Sequence, residues 1–523
     1  MVSATVDLEP AQMFGWIATK PDHPLAEPKA AREVITELRG GDPVTRLDEA
    51  TAYLESLLRA EGFRLGYLYE VIDLIDQAAK PHQRRISAEY IGASRLTRHQ
   101  DNRLWKSAGD FWRALAQAYL RCLDRFQSEP KEARGFVGQM PVCCARVMRA
   151  LGAELKWLSL RYGPIPQYLW ANAASTYALA ETSSVEQKPI RAYPVSYGDT
   201  SVQQEYLRVL VLGAASVDSM LPAQVELAER AISWFSRSFV MSNERGDDTT
   251  HYVDLATQRP PARLTKSVAT SPNRRYFGIA RGRGEIASLL RVVKERDLIP
   301  DSVRLGELHS IPLVISTLEH LIRQLGARPP ARNHERKPSV LRLMVAHGFR
   351  QIRDTVHRHE RNEPLRPIDI ETWVATDESP GGYGATIRHL RGDWVKLGAL
   401  VGVKPEDGRY WGVGVVRRIS RDNETDHRVG VQLLAQSALP IELKPIEPGP
   451  GESADARRAL LLSARPSETG EIDVALEVGA FSSRGRFAVQ INDKPYMLVA
   501  THLLEAGDDF DLARFRVRKY ELM

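Results

Sequence analysis

The feature that most constrains this 523-residue chain is a change of hydrophobic period at Gly326-Ala327-Arg328-Pro329-Pro330. Before it, apolar residues recur at helical spacing. After it, they come in short runs of β-branched and aromatic residues broken by turn residues. One segment satisfies either period but not both. Two consecutive prolines lack backbone donors and stop any helix that reaches them. The chain therefore holds a helical part followed by a β part, in a length that suits about three or four domains.

Residues 1–30 are Pro-rich and irregular. Helical patterning then begins at Leu47–Ala60, where Leu47, Ala50, Leu54, Leu57 and Leu58 lie close to one face. It continues through Tyr67–Ala78, Leu104–Phe126, Cys143–Tyr162, Pro166–Glu181, Val202–Leu221 and Gln224–Met241. Helix after helix on short connections implies a bundle or stacked helical pairs. No clean 34-residue period supports a tetratricopeptide array. His251–Leu264 reads as a short strand and loop that Arg275–Ile279 can pair with, and helical pattern returns at Glu285–Asp297 and Ile311–Leu325.

Beyond the proline pair, Ser339–Phe349, Ile370–Thr376, Tyr383–Leu390, Val395–Val403, Tyr410–Ile419 and Arg428–Leu434 read as strands, several rich in Val, Ile and aromatics. Glu447–Glu452 (EPGPGE) reads as a second linker. After it come strands at Ile472–Val478, Arg486–Ile491, Tyr496–Ala500 and Phe510–Tyr520. The expected fold is multidomain α+β. A large all-α domain spans 1–327, with a small β insertion near 248–280; a β domain spans 328–446 and a small C-terminal β module 452–523.

Apolar and charged fractions of 43% and 26% are ordinary for a soluble globular chain, and a net charge of +5 does not by itself imply nucleic-acid binding. The charge is uneven: Arg328–Arg366 holds ten Lys/Arg against four acids. A basic patch of that kind suits a phosphate-bearing partner. The three cysteines, Cys122, Cys143 and Cys144, form no C-x-x-C pair, which argues against a disulfide framework and a zinc site and for a reducing compartment. The start lacks a basic region followed by an apolar core, and the best apolar run, Leu207–Ala215, is too short to span a bilayer. A cytoplasmic location with no membrane span is expected.

Two short elements carry chemistry. Arg332-Asn333-His334-Glu335-Arg336 is R-x-x-x-R, and Asp377-Glu378-Ser379-Pro380-Gly381-Gly382 is D-x-S-x-x-G. Arginine offers a flat, permanent charge that grips phosphate and stacks on a ring. Aspartate accepts from N–H donors, serine donates or accepts, and glycine lets backbone approach a ligand. In this order, amid this strand pattern, the elements resemble the PilZ domain, a small β-barrel that in many bacteria binds cyclic di-GMP. The resemblance covers roughly 328–445 and implies an antiparallel barrel there; the C-terminal module is then a degenerate second barrel or an extension of the first.

The resemblance implies that Arg332 and Arg336 clamp phosphate and guanine, that Asp377 accepts from the guanine edge, that Ser379 adds a hydrogen bond and that Gly382 holds the turn. It implies a non-enzymatic receptor for cyclic di-GMP, without cofactor, whose helical domain meets a protein partner in motility, pilus or biofilm control. The alternative is a helical scaffold whose barrel no longer binds nucleotide. The gap from Arg336 to Asp377 is longer than the family usually shows. The extra piece, Arg350–Pro367, reads as an insertion on a loop, with Arg358 and Arg361 as the alternative arginine pair. His357-Arg358-His359 with Glu360 reads as a polar loop rather than a metal site, Arg281-Gly282-Arg283-Gly284 as helix punctuation, and Asp508-Asp509-Phe510-Asp511 as a turn.

Overall fold

A computed structural model of the chain describes residues 21–93, 96–194, 198–305, 309–328, 334–388, 390–423, 425–446, 455–462, 470–491 and 494–519. It divides into two compact units, a helical one ending near Pro329 and a β one from Pro330 onward.

The helical unit runs α1 (Pro28–Leu38), α2 (Pro43–Arg59), α3 (Leu65–Gly92), α4 (Arg98–Ser128), α5 (Pro130–Phe136), α6 (Met140–Ser159), α7 (Gln167–Thr182), α8 (Val202–Ala214) and α9 (Pro222–Phe235). Prolines at the first turns of α1, α2, α5 and α6 sit where their missing N–H costs nothing. A capping box starts α4: Gln100 N donates to Thr97 Oγ1, while the Gln100 side chain accepts from Thr97 N. The helices bury Leu54, Ile72, Phe111, Tyr119, Leu151 and Trp157 in one core. Within that core, Asp76 accepts from Tyr119 and Tyr193 at 3.0 and 2.8 Å. Arg146 pairs with Asp73 and donates to the Tyr119 hydroxyl at 2.8 Å, so the buried charge is compensated.

The expected β insertion is a four-stranded sheet of order β1-β4-β2-β3, built from β1 (Val240–Ser242), β2 (His251–Asp254), β3 (Ala262–Arg263) and β4 (Arg274–Gly278). His251 pairs with Phe277, joining the two runs that read as strands. Helices α10 (Ala280–Arg296) and α11 (Ile311–Leu325) follow. The Arg281–Gly284 stretch lies inside the first turn of α10, and Gly282 packs so closely on Phe239 that a Cβ would stand 2.7 Å from the ring.

The β unit holds two closed antiparallel barrels. The first contains β5 (Lys337–His347), β6 (Glu371–Ser379), β7 (Gly382–Ile387), β8 (Leu400–Pro405), β9 (Gly412–Arg421) and β10 (His427–Ala435), in the order β10-β7-β6-β5-β8-β9. In β6, Trp373 and Ala375 point into the barrel while Thr372, Val374 and Thr376 point out, the period of two that a one-sided strand requires. The second contains β11 (Leu439–Pro445), β12 (Arg457–Leu461), β13 (Glu471–Leu476), β14 (Arg486–Ile491), β15 (Lys494–Ala506) and β16 (Asp511–Lys519). Its first strand, β11, lies before Glu447–Glu452, so the change of barrel falls between Ala435 and Leu439 and not at the Pro/Gly linker.

Arg350–Pro367, read above as a loop, begins as a helix, α12 (Phe349–Glu360). Phe349, Ile352, Thr355 and Val356 are buried on one stripe of it. Phe349, Ile352 and Val356 pack into a core shared by both barrels, with Trp411, Val413, Val415, Leu460, Ala475 and Phe510. A helix of this composition is stable because the stripe is covered, not because of its charged outer face.

Candidate functional site

The β6–β7 hairpin places most of the acidic-hydroxyl-glycine element. Ser379 pairs with Gly382, leaving Pro380-Gly381 as the loop, with proline at the position its fixed φ favours. Gly382 has φ +150, and a Cβ on it would lie 1.9 Å from the Val431 carbonyl oxygen of β10. Only glycine fits. The Leu433 N–H donates to the Gly381 carbonyl at 3.0 Å, so β10 backs the loop from the other side. Ser379 Oγ donates to the Gly382 carbonyl at 3.4 Å, closing the turn on itself.

Asp377 stands beside an irregularity in the ladder between Ala375 and Asp377. Such a bulge re-aims a side chain. Its carboxylate lies over Gly384, where a Cβ would stand 2.4 Å from Oδ2. Arg336, at the entry to β5, donates from Nη1 to Asp377 Oδ1 at 2.7 Å. Both side chains stay partly exposed, 39% and 31%. His334 lies against the loop as well: a Cβ on Gly381 would meet its ring at 2.8 Å. Arg336, Asp377, Ser379 and Gly382 are thus brought to one end of the β5–β6–β7 ladder, and Arg332 lies outside the described residues.

Sequence reasoning missed Gly384 and His334. The alternation Gly382-Tyr383-Gly384 within a strand was the available signal, since glycine in a strand interior marks a close backbone approach. Tyr383 sits between these glycines, and burial, then the Glu378 carboxylate paired with it, raise its phenol above the ordinary value. The alternative arginines are elsewhere in kind. Arg358 is on α12, 3.6 Å from Glu363, and Arg361 follows its last turn. His359, in the last turn of the same helix, bonds to the Arg409 carbonyl at 2.9 Å. Among the described residues no group of three His, Cys, Asp or Glu side chains is placed to hold a metal ion, and no helix is long and apolar enough to cross a membrane.

The six-stranded barrel and its hairpin define the class: the chain carries a PilZ domain, and residues 346–440 match the family model described as the middle PilZ domain of the cyclic-di-GMP receptor FimW. Residues 29–245 match the model of the N-terminal domain of that receptor. A curated relative, the cyclic-di-GMP receptor FimW of Pseudomonas aeruginosa, is 21% identical over 406 residues. That stretch covers 65% of this chain and 66% of the relative, just under two thirds of its length. Asp377, Ser379 and Gly382 fall within the matched PilZ range, while Arg332 and Arg336 precede it.

Proposed function

We propose that the chain is a receptor, not an enzyme, that takes cyclic di-GMP at the β5–β6–β7 end of its first barrel. The observation that carries this reading is the meeting of Arg336 and Asp377 beside the Gly382 turn. A planar cation, an acceptor-only carboxylate and side-chain-free backbone together match a ligand with phosphates and guanine edges. Arg336 and Arg332 grip phosphate and stack on or bond to guanine. Asp377 accepts from guanine N1–H and N2–H₂, Ser379 adds a hydrogen bond, and Gly382 holds the turn. The relative's name supports the same ligand class.

In this reading the receptor is cytoplasmic and needs no cofactor. Ligand engages the segment that leads from the helical unit into β5, and the helical unit passes the signal to a protein partner in motility, pilus or biofilm control. Amide hydrogen exchange with and without cyclic di-GMP tests it. Exchange should slow over the lead-in 334–338 and over the hairpin 377–387. Protection confined to the hairpin would retain the receptor and remove the coupling. Exchange unchanged in both would remove the site.

A further inference from the structure

The second barrel supplies a brace to the ligand turn of the first. The turn rests on Val431–Leu433 of β10: Gln432 pairs with Gly382, Leu433 N bonds to Gly381 O, and Val431 O lies against the Gly382 Cα. No side chain cushions this contact, so any shift of β10 passes into the turn. On its other edge β10 pairs with β9, and that ladder changes register between Gly430 and Val431 and again between Leu433 and Ala435. The three residues that back the turn are paired with β9 but lie between two bulges, where the ladder is re-aimed on either side.

One side chain spans the gap. Arg417 of β9 donates from Nε to Gln432 Oε1 at 2.9 Å. Its other two nitrogens, Nη1 and Nη2, reach Glu505 Oε1 and Oε2 at 2.6 and 2.5 Å. Glu505 belongs to β15 of the second barrel. The paired, parallel bonds fix the guanidinium plane, which a single contact would not do. The hairpin tip beyond Glu505 is anchored separately: Asp508 pairs with Lys396 at 2.7 Å, Asp509 accepts from Leu400 N at 3.3 Å, and Phe510 is fully buried in the shared core. Asp508 and Asp509 thus tie the hairpin tip to the first barrel by contacts that involve neither Gln432 nor Arg417.

We infer that Arg417 is a positioning residue for the ligand turn, held by Glu505 of the second barrel through Gln432. This rests on the proposed ligand site for its consequence in binding, but not for its effect on the turn itself. Hydrogen exchange at the Leu433 amide and cyclic di-GMP affinity are measured on the full chain for wild type, Glu505→Gln, Arg417→Lys and Asp508→Asn. Glu505→Gln should speed Leu433 exchange and weaken binding roughly two- to fivefold, the upper part of the range for a partly exposed ion pair. Arg417→Lys keeps the charge without the fork and should move both readouts the same way. Asp508→Asn, which breaks an inter-barrel pair away from Gln432, should leave both near wild type.

Leu433 exchange in Glu505→Gln equal to wild type overturns the inference. Faster exchange with undiminished affinity overturns it too, since the turn would then not need positioning. Equal effects from Asp508→Asn would reduce the brace to general docking of the barrels and overturn it as well. A wild type that takes no cyclic di-GMP overturns the proposed function instead, and Leu433 exchange still decides for or against the brace.

Discussion

Arg336 and Asp377, separated by 41 positions in the chain, form an ion pair at 2.7 Å across the end of the β5–β6 ladder. The register explains it: Pro338 pairs with Asp377, and Lys337 with Glu378, so the residue entering β5 must pass the carboxylate. The proposed ligand would engage these two groups separately. Because both are partly exposed, the pair contributes about 0.2–1 kcal/mol at most, and a ligand displaces it at little cost.

Arg336→Ala should therefore weaken cyclic di-GMP binding by roughly 1.5–3 kcal/mol, the scale of a hydrogen bond to a charged group, while shifting folding stability by less than about 1 kcal/mol. Arg332→Ala should act on binding in the same way. Arg358→Ala and Arg361→Ala should matter less, because α12 turns its buried stripe to the shared core and places Arg358 beside Glu363. Calorimetric titration of the four variants checks the ranking; the reverse order would put the site on α12.

Asp377→Ala should change which base the site prefers. Guanine presents donors at N1 and N2, which a carboxylate accepts, whereas adenine presents an acceptor at N1. Wild type should take cyclic di-AMP poorly, and loss of Asp377 should weaken cyclic di-GMP and narrow the difference. Equal wild-type affinities, measured by competition, would mean that only phosphates are read.

Two glycines should separate fold from site. Gly382→Ala forces a side chain into the Val431 carbonyl at positive φ and should destabilise the β unit by about 2 kcal/mol or more. At Gly384→Ala the nearest atoms are those of the Asp377 carboxylate, which must swing aside, so affinity should fall with a smaller loss of stability than in Gly382→Ala. Denaturant melts and titrations on the same preparations distinguish the two; a stable, binding-competent Gly382→Ala would contradict the described turn.

The helical unit should lose stability in mild acid through His251. Burial, then the nearby Arg263 charge, lowers its imidazole to about 4 from 6.5. The folded state thus binds fewer protons than the unfolded one between these values. Stability from this group is complete above about 6.5 and falls as pH drops towards 4, by on the order of 2–3 kcal/mol. His251→Gln, which cannot charge, should flatten that part of the stability–pH curve; an unchanged slope would show that other groups set it.

The β6–β7 hairpin was legible because Ile370–Thr376 and Tyr383–Leu390 carry β-branched and aromatic residues on either side of Pro380-Gly381. The pairing of Arg336 with Asp377 was not, since it depends on the register of β5 against β6. Helix α12 escaped because Phe349, Ile352 and Val356 are its apolar face amid Arg and His, and their partners lie in two barrels distant in sequence. The strand β11 was hidden for a different reason. The Pro/Gly run after it is a strong local boundary, yet Leu439–Pro445 pairs forward with β12 and β14. Long-range pairing overrides local punctuation, and one chain without its partners does not reveal that choice.

Titration calorimetry of the full chain with cyclic di-GMP tests the central claim most directly. The account predicts saturable heat with micromolar or tighter affinity, about −8 kcal/mol or more favourable, weakened in both Arg336→Ala and Asp377→Ala. No heat, and no competition by unlabelled ligand at about 100 µM, would contradict it and leave the first barrel as a protein-contact module.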